Sequence, residues 1–463
     1  MHAVSEIGGL RVHDLLDNWV SNGAELVAAI MCFIGASRKD HRRGRAIWTC
    51  FGLAMLMWFV GDVLWGLNGD HTTLTSVSDV FWLAWYPVGG GVPRAGRRPV
   101  PCREARIAVS SASMTDDTMR AWRVHRYGEP LDVLQLDEVA LPEPGEGEVR
   151  VKAQGIPFNL NDLERINGGN MMVRPEFPYS PGMETMGVVD QAGPGAEALL
   201  GKRVVGSTVQ AIGGYAEYVL CGASATFEMP EDIPLPDAAA LFFPFHLAWL
   251  GLFDRADLQA GETVLIHAAA GGSGSAAVQL AVDKGAHVIA TCGSEEKVQL
   301  CKDLGAQTVV NYTTDDFLAA CMEVTGGRGV DVVFDNVGEA VLADSFKATA
   351  YNGRYVLMGF ASNKVVADEP WIVPRQLSLG NFKLMSVMLS YQDPARQQFM
   401  KQFLGWNVGS DALGREIQAN IVELVRAGRV HAVVGKVIGF DDIPQGITDL
   451  AARDTVGRVI ATV

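Results

Sequence analysis

Val264-Leu265-Ile266-His267-Ala268-Ala269-Ala270-Gly271-Gly272-Ser273-Gly274-Ser275-Ala276-Ala277-Val278-Gln279-Leu280-Ala281 is an apolar run that enters a glycine-rich turn, which in turn opens a helix-forming run. Gly272, Gly274 and Ala277 give the spacing G-x-G-x-x-A of a dinucleotide-binding fingerprint. Gly272 is expected to allow the tight turn, and Gly274, lacking a Cβ, to let the backbone approach a pyrophosphate. Ala277 is expected to let the helix pack close to its strand. The helix N-terminus offers free N–H groups to phosphate oxygens. Gly271, Gly272, Ser273 and Gly274 are therefore the candidate phosphate-binding positions. A second apolar strand, His287-Val288-Ile289-Ala290-Thr291, follows at the distance the fingerprint requires.

Outward from this turn, strands are expected at 263–267, 287–291, 308–311, 330–335 and 353–359, with helices between them. Such alternation predicts a doubly wound parallel sheet. Upstream, from Arg120 to about Phe227, short alternating segments such as Glu148-Val149-Arg150-Val151-Lys152-Ala153 are separated by Pro and Gly at close intervals. This texture predicts a compact, β-barrel-like domain. Downstream the mixed texture returns, with a helix near 415–427 and strands at 433–440 and 457–463. The chain thus divides into 1–113, a first barrel part at 114–237, the nucleotide domain at 238–385, and a return to the barrel domain at 386–463.

Among the 463 residues, acids outnumber bases, and the net charge of −15 argues against broad nucleic-acid binding. The seven cysteines form no C-x-x-C pair, which suits a reducing cytoplasm better than a disulfide scaffold. Residues 1–113 differ from the rest: 11 bases against 9 acids, a net of +2, and six of the ten Trp. There, 46–67 carries a single charge, Asp62, and is long enough to cross ~30 Å of hydrocarbon. Shorter apolar runs lie at 24–36 and 80–88, and a basic loop, Arg38-Lys39-Asp40-His41-Arg42-Arg43-Gly44-Arg45, follows the first. Two or three membrane segments are expected, followed by an Arg/Pro-rich linker. The alternative is a buried helical hairpin. A clean start at Met114 suggests that 1–113 is a fusion or a start-site artefact, tethering a cytoplasmic enzyme to the membrane where present.

From Met119 onward the chain resembles the medium-chain dehydrogenase/reductase superfamily, in its quinone oxidoreductase and enoyl-reductase branch. The resemblance is carried by Asn159-Leu160-Asn161-Asp162, Pro181-Gly182-Met183-Glu184-Thr185-Met186-Gly187, Gly213-Gly214-Tyr215-Ala216-Glu217-Tyr218, the fingerprint, Asp335-Asn336-Val337-Gly338 and Gly353-Arg354-Tyr355-Val356, in family order. It implies a GroES-like β-barrel-type catalytic domain, a Rossmann domain and a homodimer. The apolar run 382–389 is the expected pairing segment. Zinc relatives place a Cys near the Asn159 region and a His where Met183 stands. A thioether is a poor ligand for catalytic zinc, so no metal is expected, and Glu184 reads as a hydrogen-bonded structural carboxylate.

The strand ending at Thr291 lacks the acid that usually binds a ribose 2′-OH. Gly293 and Ser294 leave room for a 2′-phosphate, and Lys297 can pair with it. The resemblance adds Tyr312 around that phosphate, Arg453 near the C-terminus is a further candidate contact, and NADPH is the expected cofactor; a Lys297 paired with Glu295 or Glu296 instead would allow NADH. The same resemblance places Asn336, Gly338 and Gly359 beside the nicotinamide and its ribose. Asn159 is expected to position nicotinamide or acceptor, with Asp162 supporting its loop. Both could equally be simple loop caps. No Tyr precedes Tyr179 after the Asn-x-x-Asp motif, which favours a solvent proton over a tyrosine acid. Phe158, Phe242, Phe243, Phe245, Met171 and Met172 are candidates for an apolar acceptor pocket. The expected activity is zinc-independent, NADPH-dependent hydride transfer to a small-molecule quinone or other α,β-unsaturated carbonyl. The alternatives are an enoyl thioester reductase, on CoA or a carrier, and a non-catalytic NADPH-binding redox-sensing module.

Overall fold

The computed structural model describes residues 118–169, 174–359 and 374–463, with the backbone of two short antiparallel strands, Glu6–Ile7 and Leu10–Arg11. The chain divides into two compact units, Met1–Ser110 and Ser111–Val463. The expected membrane segments, and Met171 and Met172, lie outside the described residues. Among the described residues, no helix is long and apolar enough to cross a membrane.

The second unit opens with β1 (Thr118–Val124) paired antiparallel to β2 (Leu134–Ala140). It continues through β3 (Glu148–Pro157), the short helix α1 (Asp162–Asn167), β4 (Glu184–Ala192), β5 (Arg203–Thr208) and β6 (Tyr218–Glu228). Helix α2 (Asp237–Trp249) leads into an alternating series: β7 (Thr263–Ile266), α3 (Gly272–Lys284), β8 (His287–Cys292), α4 (Glu295–Asp303) and β9 (Thr308–Asn311). The series goes on with α5 (Phe317–Val324), β10 (Val330–Asp335), α6 (Glu339–Ala348), β11 (Thr349–Leu357), α7 (Pro374–Gly380) and β12 (Lys383–Ser386). The chain then returns through α8 (Pro394–Leu404), α9 (Asp411–Arg426), β13 (Val434–Gly439), α10 (Ile443–Ala451) and β14 (Arg458–Thr462).

All six strands β7–β12 are parallel, in the order β9-β8-β7-β10-β11-β12. This is the doubly wound order whose switch point falls between β7 and β10, where ligands bind beyond the carboxyl ends of the strands. The other six-stranded sheet runs β13-β14-β3-β4-β5-β6, and an added β3–β6 pairing curls it into a barrel. Buried on both faces, β7 reads Thr-Val-Leu-Ile without alternation.

Several boundaries differ from the sequence expectations. Strand β3 runs past Ala153 to Pro157, because Gly155 to Pro157 pair with β14, some 300 residues away. Strand β11 begins at Thr349, not 353, since Thr349 already pairs with Val330 across a register shift. Helix α9 starts at Asp411 because the Ser410 hydroxyl accepts the Leu413 N–H (3.1 Å) and caps it. Of the run 382–389, only Lys383–Ser386 is strand, parallel to β11 at the edge of the sheet.

Candidate active site

A cleft of about 2510 Å³ runs along the carboxyl ends of the parallel strands and against the barrel. Its floor begins at the glycine-rich turn. The tight reversal is made by Ala268, at φ 52°, and not by Gly272. Gly271 N–H donates to Ala268 O (3.0 Å), and Ser275 N–H to Gly271 O (2.9 Å). The amides of Gly272, Ser273 and Gly274 precede that first helical bond, at the positive end of α3. A Cβ on Gly274 would stand 2.1 Å from Ala268 O. The missing side chain therefore lets the helix start against its own strand as well as leaving a bare backbone surface. Ala277 is fully buried beneath it. Gly457 N–H donates to Ala270 O (2.8 Å), pinning the start of the barrel's last strand to the turn.

Beyond the carboxyl end of β8, Gly293, Lys297, Tyr312 and Arg453 line the cleft together. A Cβ on Gly293 would meet the Tyr312 hydroxyl at 2.4 Å, so the ring rests against this loop. Lys297 Nζ donates to Arg453 O (2.7 Å) and not to Glu295 or Glu296. Ser294 is drawn away from the expected phosphate position, since its hydroxyl accepts Lys297 N–H (3.4 Å) and caps α4.

At the switch point, Asn336 and Gly359 face the cleft. A Cβ on Gly359 would lie 2.7 Å from Asn336 O, so the two loops close on each other only because Gly359 has none. Gly338 does not line the cleft; its N–H donates to Asp335 Oδ1 (3.0 Å) and it caps α6 at φ 81°. His267, at the end of β7, is buried between the Thr291 (3.0 Å) and Ser345 (2.8 Å) hydroxyls. Burial pushes its pKa down to about 3, which keeps the ring neutral.

Opposite, the barrel contributes a buried polar network. Asn159 Nδ2 donates to Glu184 Oε2 (3.1 Å), and Arg458 Nη1 donates to Asn159 Oδ1 (2.8 Å). Arg458 Nη2 also donates to Glu184 Oε2 (2.5 Å), and Glu184 Oε1 accepts the Phe243 N–H (3.1 Å). The amide of Asn159 is thus fixed in orientation, with one N–H left over. Asp162 lies beneath the cleft, not in its wall, and accepts the Asn159 N–H and the Tyr215 hydroxyl, both at 3.0 Å. Burial outweighs these bonds and raises its pKa to about 6.

Arg458 is the functional candidate that sequence reasoning missed. Its signal was available: a lone base directly after Gly457, opening an otherwise apolar strand. Its Nε is buried with no hydrogen-bond partner among the described residues. The Arg458 Cδ would lie 2.7 Å from a Cβ on Gly272. A buried, unsatisfied guanidinium N–H beside a helix N-terminus fits a bound phosphate group. Of the expected apolar pocket, Phe158 and Phe243 line the cleft, whereas Phe242 and Phe245 belong to the core.

The zinc-binding dehydrogenase family matches residues 272–405, and the alcohol dehydrogenase GroES-like domain family matches 145–231. A 2-haloacrylate reductase from Burkholderia is 31% identical over 341 residues, which is 73% of this chain and 97% of the relative. Human quinone oxidoreductase is 32% identical over 291 residues, 62% of this chain and 87% of the relative. Among solved structures, a mycobacterial protein complexed with NADPH aligns at 30% identity and TM-score 0.64, over 74% of this chain and all of that one. Escherichia coli quinone oxidoreductase complexed with NADPH aligns at 26% identity and TM-score 0.64, over 75% of this chain and all of that one.

Proposed function

Because the chain belongs to the medium-chain dehydrogenase/reductase superfamily, in its quinone oxidoreductase branch, we propose that this NADPH-dependent oxidoreductase reduces a quinone or another α,β-unsaturated carbonyl without zinc. The supporting observation is the junction at Gly457–Arg458, which joins the phosphate turn to the Asn159–Glu184 network in one cleft.

The residues suit NADPH. The amides of α3 and the spare Nε of Arg458 would hold its pyrophosphate, and Lys297, Tyr312 and Arg453 the 2′-phosphate. Asn336 and Gly359 would flank the nicotinamide ribose. When bound, NADPH supplies the hydride. The chain's own part is orientation and polarisation. Asn159, clamped by Arg458 and Glu184, keeps one N–H for an acceptor oxygen on which negative charge develops. Phe158 and Phe243 keep water from that end of the cleft. A solvent proton completes the reduction.

Zinc does not fit. Met183 lines the cleft with a thioether, and both oxygens of Glu184 are already engaged. Among the described residues, no group of three or more His, Cys, Asp or Glu could hold a metal ion. The homodimer reading is supported by β12, an edge strand of the parallel sheet.

The test is NADPH oxidation by the full chain against a quinone panel and crotonyl-CoA, with NADH and a chelator as controls. Quinone turnover that prefers NADPH and resists the chelator is the expected result. Turnover of crotonyl-CoA alone reassigns the chain to the enoyl reductases. NADPH binding without turnover of any acceptor favours the redox-sensing module.

A further inference from the structure

Four cysteines with free thiols are buried among the described residues. Neither Cys221 nor Cys321 lines the cleft, and burial pushes both thiols up. Cys292 and Cys301 differ. Cys292 is the last residue of β8 and lines the cleft with Gly293, Lys297 and Tyr312. Cys301 is fully buried on α4, and its S–H donates to the Cys292 sulfur. That bond, with the Ser294 N–H and the Lys297 ammonium, lowers the Cys292 pKa against the effect of burial. The same bond, with burial, raises that of Cys301. Cys292 is therefore the nucleophile that a small reagent in the cleft meets, and Cys301 is a second thiol already in contact with it.

The backbone at Cys292 also carries the corner assigned to the 2′-phosphate. The Cys292 carbonyl accepts the Tyr312 N–H (3.0 Å), and Gly293 and the cap Ser294 follow directly. Lys297 stands one turn before Cys301 on α4.

We propose that Cys292 and Cys301 form a dithiol modification site that a hydroperoxide converts to a disulfide, and that this disulfide and bound NADPH oppose one another. The proposal rests on the placement of the 2′-phosphate in the reading above. The Cys292 thiolate attacks the O–O bond of hydrogen peroxide, forming a sulfenic acid and releasing water with the thiol proton. Cys301 then attacks the sulfenic sulfur; the S–S bond forms, the S–O bond breaks, and a second water leaves. The two sulfurs lose two electrons, and the peroxide gains them. A disulfide is much shorter than a thiol hydrogen bond, so its closure draws α4 against the end of β8. Ser294, Lys297 and Tyr312 move with these segments. Bound NADPH in turn covers Cys292 and shields it.

The experiment treats the full, reduced chain with hydrogen peroxide, with and without NADPH. Trypsin cuts after Lys284, Lys297 and Lys302, so the disulfide joins peptide 285–297 to peptide 298–302 in mass spectra taken without reduction. That link is expected to appear. The oxidised chain is expected to bind NADPH about tenfold more weakly by fluorescence titration, and dithiothreitol to restore the affinity. NADPH at about ten times its Kd is expected to slow the link about tenfold, because only the free form reacts. Cys301→Ser is expected to form no link and to leave a sulfenic acid on Cys292 that dimedone traps. The wild-type measurements stand alone if the variant does not fold. No link, a link formed equally fast with NADPH bound, or a link that leaves NADPH affinity unchanged overturns the proposal, while the hydride-transfer reading survives. If the reduced chain binds no NADPH, the cofactor placement fails and the proposal falls with it.

Discussion

Arg458 shows how much one side chain can decide. Its guanidinium joins Glu184 to Asn159, and the neighbouring Gly457 N–H ties the start of strand β14 to the phosphate turn. Arg458→Met would leave the Glu184 carboxylate buried without its cation, a loss of about 3–5 kcal/mol in stability. Urea midpoints should fall accordingly and KM for NADPH should rise. Arg458→Lys should restore part of the stability but not the two-armed contact to Asn159 and Glu184. Lys297 lines another part of the cleft, where its ammonium donates to Arg453 O. Lys297→Gln should cut the preference for NADPH over NADH about tenfold, read as the ratio of kcat/KM values, by removing one charge-assisted bond to the 2′-phosphate.

The turn between β7 and α3 is the element on which the site depends. Its φ/ψ reversal falls on Ala268, and its closeness to the helix falls on Gly274, so the two roles are divided differently from the fingerprint's usual division. Gly274→Ala would place a methyl group 2.1 Å from Ala268 O, which is backbone and cannot swing aside. The helix start must move, so NADPH affinity should fall more than tenfold by titration of cofactor fluorescence, while far-UV circular dichroism is largely kept. Strand β3 illustrates the opposite case. Its first half alternates and is readable, but its end, Ile156 and Pro157, is strand because it pairs with Ala461 and Ile460 of β14.

Buried titratable groups set the response of the whole second unit to acid. His246 sits between the Tyr391 hydroxyl and Gln418 Oε1, both at 3.0 Å, and burial lowers its pKa to about 4, as it lowers that of His267 to about 3. Both imidazoles stay neutral in the fold but take protons in the unfolded chain below about 6.5. Their stabilisation is present above that pH and is lost as pH falls toward 4. Asp162 has the opposite sign. Its pKa is raised to about 6 from 3.8, so it costs stability as pH rises through that window. The histidines should dominate, and Tm should fall from pH 7 to pH 5. Asp162→Asn removes the opposing slope, so its Tm should fall more steeply than that of the wild type over pH 6 to 4 in parallel melts.

By itself the sequence determined the parallel sheet and the phosphate turn, because each rests on local information, period and glycine spacing in a strand–turn–helix setting, while Tyr312, Asn159 and Glu184 were singled out by the family resemblance. Only the tertiary structure decided what those residues do to one another. It brought Arg458 across 299 residues to Asn159, sank Asp162 beneath the cleft against Tyr215 and placed Glu164 in its wall. Such partnerships arise from strand pairing between distant segments and from the cost of leaving a buried charge or amide unsatisfied. Neither is written in the neighbours of the residues concerned.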